Sequence, residues 1–216
     1  RHCPADADMA PASDATTASV VVALTMAEIA LLGTSADPPT RGHQALLEGL
    51  LQHFSRVATW ASDNPMKRHD ADLPQRHELL RALVTAIADS RLELAQDLSS
   101  PFAITTLERA RRRWPGHRLC FVVGSDLAGQ IPGWKQCGQW LTQCDLGIVP
   151  RQGWPVQSQA LDTLRQLGGR PRVLPLSIPG TASSQVRHAN GQDQVPEKLR
   201  PLLLKHNLYG FNATNT

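Results

Sequence analysis

Short apolar segments, each long enough for a buried strand, alternate along the chain with longer segments that repeat apolar residues every three to four positions. The strand candidates are 27–33, 56–62, 91–96, 118–126, 146–151 and 172–176. The helix candidates are 43–54, 74–88, 104–114, 132–143, 158–167, a short one near Ser183, and 196–208 with a break or restart at Pro201. Because parallel strands need crossover connections, this alternation predicts an α/β fold: a parallel sheet with helices on both faces and a short C-terminal helical part.

Length and charge limit the possible organisation and partners. The 216 residues suffice for one α/β domain with a sizeable core, and we expect that domain over 26–210, a disordered extension over 1–25 and a tail over 211–216. Apolar residues make up 41% and charged residues 19%, as in ordinary globular proteins. The net charge of +3 suits small anionic substrates, but no clustered basic face indicates nucleic acid as a partner.

The cysteines and the apolar runs indicate a reduced, cytoplasmic protein without a membrane partner. Cys3, Cys120, Cys137 and Cys144 have no zinc-site spacing, and Cys120 lies in a strand candidate where a buried free thiol is expected. The longest apolar stretch, 18–33, is interrupted by a glutamate. The first 25 residues lack the basic start and cleavage site of a signal peptide, so an extension or a start at Met26 is expected.

The first motif is "GTSADPPTRGHQALL" at 33–47, between the first strand candidate and the first helix candidate. Gly33 has no side chain and would let a ligand phosphate approach the backbone, and the prolines at 38–39 stiffen the loop. "TRGH" at 40–43 begins the helix, whose free N–H groups attract anions. The stretch has neither a Walker lysine nor a Gly-x-Gly-x-x-Gly pattern. It predicts either an anion site or a plain turn with His43 as an exposed helix cap.

The second motif is "GSDLAGQIPGW" at 124–134. Gly124 ends a strand candidate, and Asp126 follows at the rim of the predicted sheet. Trp134 comes eight residues later, where its ring could stack on a planar base or pack in the core.

The third motif is "TASSQVR" at 181–187. A cation is unfavourable near a helix N-terminus, so Arg187 indicates a nearby anion. The alternative is a serine N-cap followed by a solvated arginine. In open parallel sheets, ligands bind beyond the carboxyl ends of the strands, near the point where the strand order reverses.

Together the motifs resemble one family. The first resembles the H/T-x-G-H signature of nucleotidyltransferases, in the form GxFDPxHxGH. The second resembles the GxD…W element of bacterial nicotinate mononucleotide adenylyltransferases, and the third their ISSTxIR element. "DNPMKR" at 63–68 is similar to the basic loop that follows the second strand. The order and separations also agree, and the resemblance covers 27–209.

The resemblance implies a Rossmann-like, doubly wound nucleotidyltransferase fold. It also implies transfer of an adenylyl group from ATP to nicotinate mononucleotide, which yields nicotinate adenine dinucleotide and pyrophosphate in NAD biosynthesis. The implied catalytic residues are Thr40, His43, Lys67 and Arg187. The implied ATP site comprises Gly33, Thr34, Ser35, Gly42, His43, Gly124, Asp126, Ser183, Ser184 and Arg187. The implied mononucleotide site comprises Lys67, Phe102, Ala103, Thr106, Trp134 and Arg151. Gly124 and Asp126 match the mononucleotide and ribose side as well.

The chain departs from the family pattern at five positions. Thr40 replaces the commoner histidine, Ala36 replaces phenylalanine, and Ala182 replaces serine. Phe102 and Ala103 replace a Tyr-Thr pair, a change that bears on acceptor recognition more than on ATP chemistry.

Three alternative functions stay open at this point. Nicotinamide mononucleotide could be the acceptor. Pantetheine-phosphate adenylyltransferases share Thr-x-Gly-His, although the spacing of Asp126 and Trp134 argues against them. A catalytically silent nucleotide-binding member of the family is the third.

The expected mechanism needs no covalent intermediate. The phosphate of the mononucleotide is already a nucleophile, so the enzyme has to align it and offset the developing charge. No set of carboxylates indicates a protein-held metal, and magnesium is expected to bind mainly through the phosphates of ATP. Small molecules are the expected partners, and a homo-oligomer is left open.

Overall fold

The computed structural model describes residues 27–176, 183–187 and 191–212. The expected extension at 1–25 lies outside these residues, as do Cys3, Ala182 and the last four residues of the tail. The proposed domain limits therefore stay a prediction. No helix within the described ranges is long and apolar enough to cross a membrane.

Within these described residues the sheet has six parallel strands, in the order β3-β2-β1-β4-β5-β6. The strands are β1 (Glu28–Thr34), β2 (Arg56–Ala61), β3 (Leu92–Leu94), β4 (Arg118–Gly124), β5 (Asp145–Val149) and β6 (Arg170–Val173). The predicted parallel α/β sheet is confirmed. The sixth strand begins earlier than its predicted range because a turn at Gly168, with φ of 85°, returns the chain to the sheet at Arg170, opposite Asp145 of β5.

Helices connect the strands and complete the C-terminal part. They are α1 (Arg41–Leu51), α2 (Leu73–Ile87), α3 (Ala103–Arg113), α4 (Ser125–Ala128), α5 (Cys137–Leu141), α6 (Ser158–Gln166), α7 (Ser183–Arg187) and α8 (Arg200–Lys205). The predicted restart near Pro201 is confirmed, since a 3-10 turn at Glu197–Leu199 precedes α8.

One predicted helix, 132–143, is wrong as a single element. A 3-10 turn covers Ile131–Gly133, and α5 follows at Cys137. Between them the backbone of Trp134 is extended, with ψ of 148°, and Gln136 is left-handed, with φ of 55°. A Pro-Gly pair inside the turn explains the break, because neither residue favours a continuous helix.

The sheet is buried on both faces, as expected for parallel strands linked by helices. Successive residues of β1 point into different cores: Ile29 and Leu31 into one, Ala30 and Leu32 into the other. Cys120 of β4 is a buried free thiol, as predicted, and burial raises its pKa to about 12.

A crevice forms where the strand order reverses, between β1 and β4. The chain leaves β1 toward β2 and β3 and then returns to place β4 on the other side of β1. Pairing of β1 with β4 ends at Leu31 and Phe121, although β1 continues to Thr34 and β4 to Gly124. The two strands part at their carboxyl ends, which is the position where parallel sheets bind ligands. The first and second motifs lie on the two sides of this crevice.

Candidate active site

The first motif leaves β1 at Gly33 and reaches α1 at Thr40. A Cβ atom on Gly33 would lie 2.9 Å from the indole of Trp60, which is buried on β2. Such a contact is too short, so packing alone requires glycine here, and the approach of a ligand to Gly33 stays a prediction. Ala36, at the position where the family has phenylalanine, is buried with a left-handed backbone, φ 49°.

His43 is held by the cap of α1 through one ring nitrogen. The backbone N–H of Thr40 donates to His43 Nδ1 at 3.0 Å, and Thr40 Oγ1 lies 2.9 Å from the same nitrogen. A backbone N–H can only donate, so Nδ1 is the acceptor and the proton of the neutral ring is on Nε2. Burial, together with the charges of Arg151 and Lys67, lowers the pKa of His43 to about 4. His43 is therefore both a cap residue and a neutral ring with one N–H left to donate.

Among the described residues, three cations from separate segments influence one another near this ring: Lys67 in its loop, Arg151 after β5, and Arg187 at the end of α7. Burial and the charges of Arg187 and Arg151 lower the pKa of Lys67. Arg151 pairs with Asp126 at 2.9 Å. The carboxylates of Asp126 and Asp37 offset part of this positive charge. The remainder would attract anions, and phosphate groups are the anions that nucleotides supply.

The third motif packs directly on the first. Ser183 Oγ donates to the Pro38 carbonyl at 2.8 Å, and Arg187 donates to the Asp37 carbonyl at 2.8 Å. The predicted closeness of these motifs is thus present in the structure. Ser184 lies in α7, but its side chain lies outside what the structure describes.

The second motif forms the opposite wall of the crevice. A Cβ atom on Gly124 would lie 2.4 Å from Asp126 Oδ1, so the glycine lets this carboxylate fold back over the end of β4. Trp134 is partly buried and packs against Phe121 and Trp140, with ring centroids 6.5 and 5.9 Å apart. Trp134 is thus partly a core residue, and its stacking on a ligand stays a prediction.

The predicted acceptor residues divide into exposed and buried positions. Phe102 is 42% exposed, and Lys135 Nζ lies 4.3 Å from the centre of its ring. Ala103 is the first residue of α3. Thr106 is buried, and its hydroxyl donates to the Leu98 carbonyl at 2.9 Å, so it can act on a substrate only by holding the turn before α3.

Comparison with known proteins identifies the family. The family model described as cytidylyltransferase-like matches residues 31–189, a range that includes all three motifs. The chain belongs to the cytidylyltransferase-like family. The resemblance found in the motifs is confirmed.

Named relatives align with most of this chain. A probable nicotinate-nucleotide adenylyltransferase from Synechocystis sp. is 36% identical over 199 residues, which cover 84% of this chain and 98% of the relative. Another, from Exiguobacterium sibiricum, is 26% identical, with coverages of 84% and 98%.

Solved structures show the same fold. The nicotinic acid mononucleotide adenylyltransferase of Plasmodium falciparum, complexed with NaAD, superposes with a TM-score of 0.69 at 18% identity and covers 86% of this chain and 98% of its own. A putative nicotinate-nucleotide adenylyltransferase from Vibrio parahaemolyticus gives 0.59 at 20% identity, with coverages of 85% and 96%. These likenesses confirm the nucleotidyltransferase fold of the cytidylyltransferase-like chain.

Asp37 is a further residue of the candidate site, although its sequence context predicted only a rigid loop. Its side chain is fully buried, and it accepts from the backbone N–H groups of Asp70 and Ala71 at 3.0 and 3.1 Å and from the Tyr209 hydroxyl. Burial would raise the pKa of Asp37, but these donors and the charge of Arg187 hold it below its usual value. The signal in the sequence was an acidic residue placed directly before two prolines.

Arg76 of α2 was missed altogether. It is 3% exposed and donates to the carbonyls of Ser35, Ser62 and Ala71 at 2.9, 3.0 and 3.2 Å. It therefore joins the first motif to both ends of the loop that carries Lys67. A signal was present, because Arg76 has helical spacing to the buried leucines at 79, 80 and 83.

Proposed function

We propose that this chain transfers the adenylyl group of ATP to nicotinate mononucleotide, giving nicotinate adenine dinucleotide and pyrophosphate in NAD biosynthesis. The observation that carries the proposal is the crevice between β1 and β4, where His43 can donate from Nε2 among three cations, Lys67, Arg151 and Arg187. The proposal draws its acceptor from the relatives, which are named as probable nicotinate-nucleotide adenylyltransferases.

The reaction needs positioning and charge stabilisation. A phosphate oxygen of the mononucleotide attacks the α-phosphorus of ATP, the new P–O bond forms, and the bond to pyrophosphate breaks. The attacking oxygen is already anionic, so no side chain has to remove a proton, and no covalent intermediate forms on the enzyme. Negative charge shifts onto the leaving pyrophosphate, and fixed donors and cations lower the barrier by offsetting it.

Each residue of the crevice has a role in that scheme. Thr40 fixes His43 with Nδ1 as acceptor, so that Nε2–H is available to the transferring phosphate. The first turn of α1 adds N–H groups that no helical carbonyl uses. Lys67 and Arg187 bind the triphosphate. Arg151, paired with Asp126, lies on the acceptor side.

Magnesium fits this site as a companion of ATP. The described residues contain no group of three or more His, Cys, Asp or Glu side chains placed to hold a metal. The two carboxylates of the crevice are already engaged, Asp37 by its buried hydrogen bonds and Asp126 by Arg151. We infer that magnesium is held by the phosphate oxygens of ATP, whose charge it screens when bound, while Lys67 and Arg187 contact the same phosphates.

Recognition of the acceptor ring would use Trp134 and the start of α3. The pyridine ring of the mononucleotide is cationic, and an aromatic face attracts a cation. Stacking does not distinguish acid from amide, so selectivity needs N–H donors aimed at a carboxylate. The Phe102 N–H is used by Ser100 Oγ at 3.2 Å, whereas Ala103 begins α3 and its N–H has no partner within the helix. The Phe102 N–H is therefore not available to a carboxylate of the acceptor, but N–H groups in the first turn of α3 are.

The acceptor preference tests the proposed function. Dinucleotide formation should be measured from ATP with nicotinate mononucleotide, nicotinamide mononucleotide and phosphopantetheine at one magnesium concentration. We expect the highest kcat/KM for the nicotinate compound. Equal use of the amide, or preference for it, would disprove the acceptor assignment and leave the adenylyl transfer. Turnover only with phosphopantetheine would assign the enzyme to that class, and no product with any acceptor would identify a silent member.

Removal of charge from the triphosphate side should weaken the use of ATP. We expect Lys67→Met and Arg187→Gln each to raise KM for ATP about tenfold, equivalent to about 1.4 kcal/mol, and to change KM for the mononucleotide by less. A charge-assisted hydrogen bond contributes about that much. Lys205→Met is the control, because this exposed lysine on α8 pairs with Glu78 away from the crevice. A larger effect on the mononucleotide than on ATP would contradict the assignment.

A further inference from the structure

The C-terminal segment reaches the first motif through one side chain. The hydroxyl of Tyr209 donates to Asp37 Oδ1 across a sequence separation of 172 residues. Both side chains are buried, and Tyr209 belongs to the same core cluster as Phe211 and the leucines of α1. Burial, together with the Asp37 carboxylate, strongly raises the pKa of Tyr209, so the phenol stays protonated and remains a donor.

The backbone of Tyr209 is unusual. Its φ is 53°, in the left-handed region that bulky residues avoid. Such a conformation persists only when the surroundings determine it. Here the surroundings are the apolar core on one side and the Asp37 carboxylate on the other.

Asp37 also contacts two parts of the proposed ATP site, the loop that carries Lys67 and the side chain of Arg187. Its carboxylate accepts the N–H groups of Asp70 and Ala71, which close the loop that carries Lys67. Its backbone carbonyl accepts from Arg187 at 2.8 Å, and the same guanidinium lies 3.7 Å from the carboxylate. A shift of Asp37 would therefore move both proposed triphosphate ligands.

We propose that Tyr209 is a positioning residue for ATP, acting through Asp37 on Arg187 and on the loop of Lys67. The C-terminal segment is then a component of the nucleotide site in addition to its part in the core. This inference rests on the proposed function only in the use of ATP, and does not depend on which acceptor is adenylylated.

The test uses Tyr209→Phe, which removes only the hydroxyl. Phe211→Leu is the matched control, since Phe211 lies in the same segment and core but is not a partner of Asp37. Affinity for a non-hydrolysable ATP analogue and for the mononucleotide should be measured by calorimetry, with thermal unfolding of each variant. We expect Tyr209→Phe to weaken the ATP analogue about tenfold and the mononucleotide less than twofold. Phe211→Leu should lower Tm and leave both affinities within twofold.

Several outcomes would overturn the inference. Tyr209→Phe with a lower Tm and unchanged affinity for the ATP analogue would make the contact purely structural. An equal loss of ATP affinity in Phe211→Leu would also mean that the effect comes from the core and not from the hydroxyl. Failure of the unaltered chain to bind the analogue would overturn the inference by removing its premise that ATP is used. Failure of the proposed acceptor alone would appear as loss of product with ATP binding intact, and the two proposals are thereby separated.

Discussion

Replacing His43 with alanine is expected to lower kcat by about a hundredfold or more while the fold stays intact. In the proposed mechanism the variant loses the neutral donor Nε2–H, which the Thr40 contact to Nδ1 leaves available for the transferring phosphate. Loss of one fixed donor to developing negative charge typically costs a factor of about 10² to 10³. Steady-state kinetics with saturating ATP would measure the effect, and circular dichroism would check the fold.

A matched pair of variants separates the cap from the donor. The amide oxygen of His43→Asn can accept the Thr40 N–H as Nδ1 does, but the side chain has no group at the position of Nε2. His43→Gln places an amide N–H near Nε2 instead. We expect the glutamine variant to retain at least tenfold more turnover than the asparagine variant. Near-normal turnover of His43→Asn would reduce His43 to a helix cap.

The lowered pKa also determines the pH range over which the His43 ring is neutral. The folded pKa of about 4 lies below the ordinary value of 6.5, so the neutral ring is favoured in the folded state. Its contribution to stability is complete above pH 6.5 and is lost as the pH falls toward 4. Without ligand, His43 is therefore neutral at physiological pH, and its Nε2–H is available to donate a hydrogen bond without a charge on the ring.

The largest loss of stability is expected at Arg76. Arg76→Leu removes the donor from three carbonyls, those of Ser35, Ser62 and Ala71, and leaves them without this partner inside the protein. A buried polar group that loses its partner costs about 1 to 3 kcal/mol. Since some carbonyls can reach water, we expect the free energy of unfolding to fall by about 3 to 5 kcal/mol in total. Urea unfolding would measure it.

Arg81→Leu is the control for this prediction. Arg81 lies on the same helix but is exposed, so its replacement should change the free energy of unfolding by less than about 0.5 kcal/mol. Equal effects of the two substitutions would show that helix propensity or net charge, and not the buried hydrogen bonds, accounts for the loss. An Arg76→Leu variant as stable as the original protein would show that the three carbonyls find other partners.

Local sequence patterns were enough to predict most of the secondary structure and the position of the motifs. The alternation of strand and helix candidates predicted the parallel sheet because each element is specified by periodicity within a few residues. The three motifs could be placed at one edge, since the carboxyl ends of parallel strands lie together. The cap at His43 was one of two alternatives in the sequence, and the structure supplied its partner, the N–H of Thr40 within the same helical turn. The local breaks were harder, and the Pro-Gly pair before Trp134 split a helix that the apolar pattern had joined.

The sequence by itself determined the sheet and the family motifs, and it left the helix cap at His43 as one of two alternatives, since these features depend on neighbours along the chain. Only the tertiary structure decided that Asp37 is ionised and fully buried, with hydrogen bonds to several segments. It also decided that Arg76 holds the loop of Lys67 and that Tyr209 contacts Asp37 from the C-terminal segment. The physical reason is that the cost of burying a charge depends on which donors the fold brings to it from distant positions, and no local pattern specifies those donors.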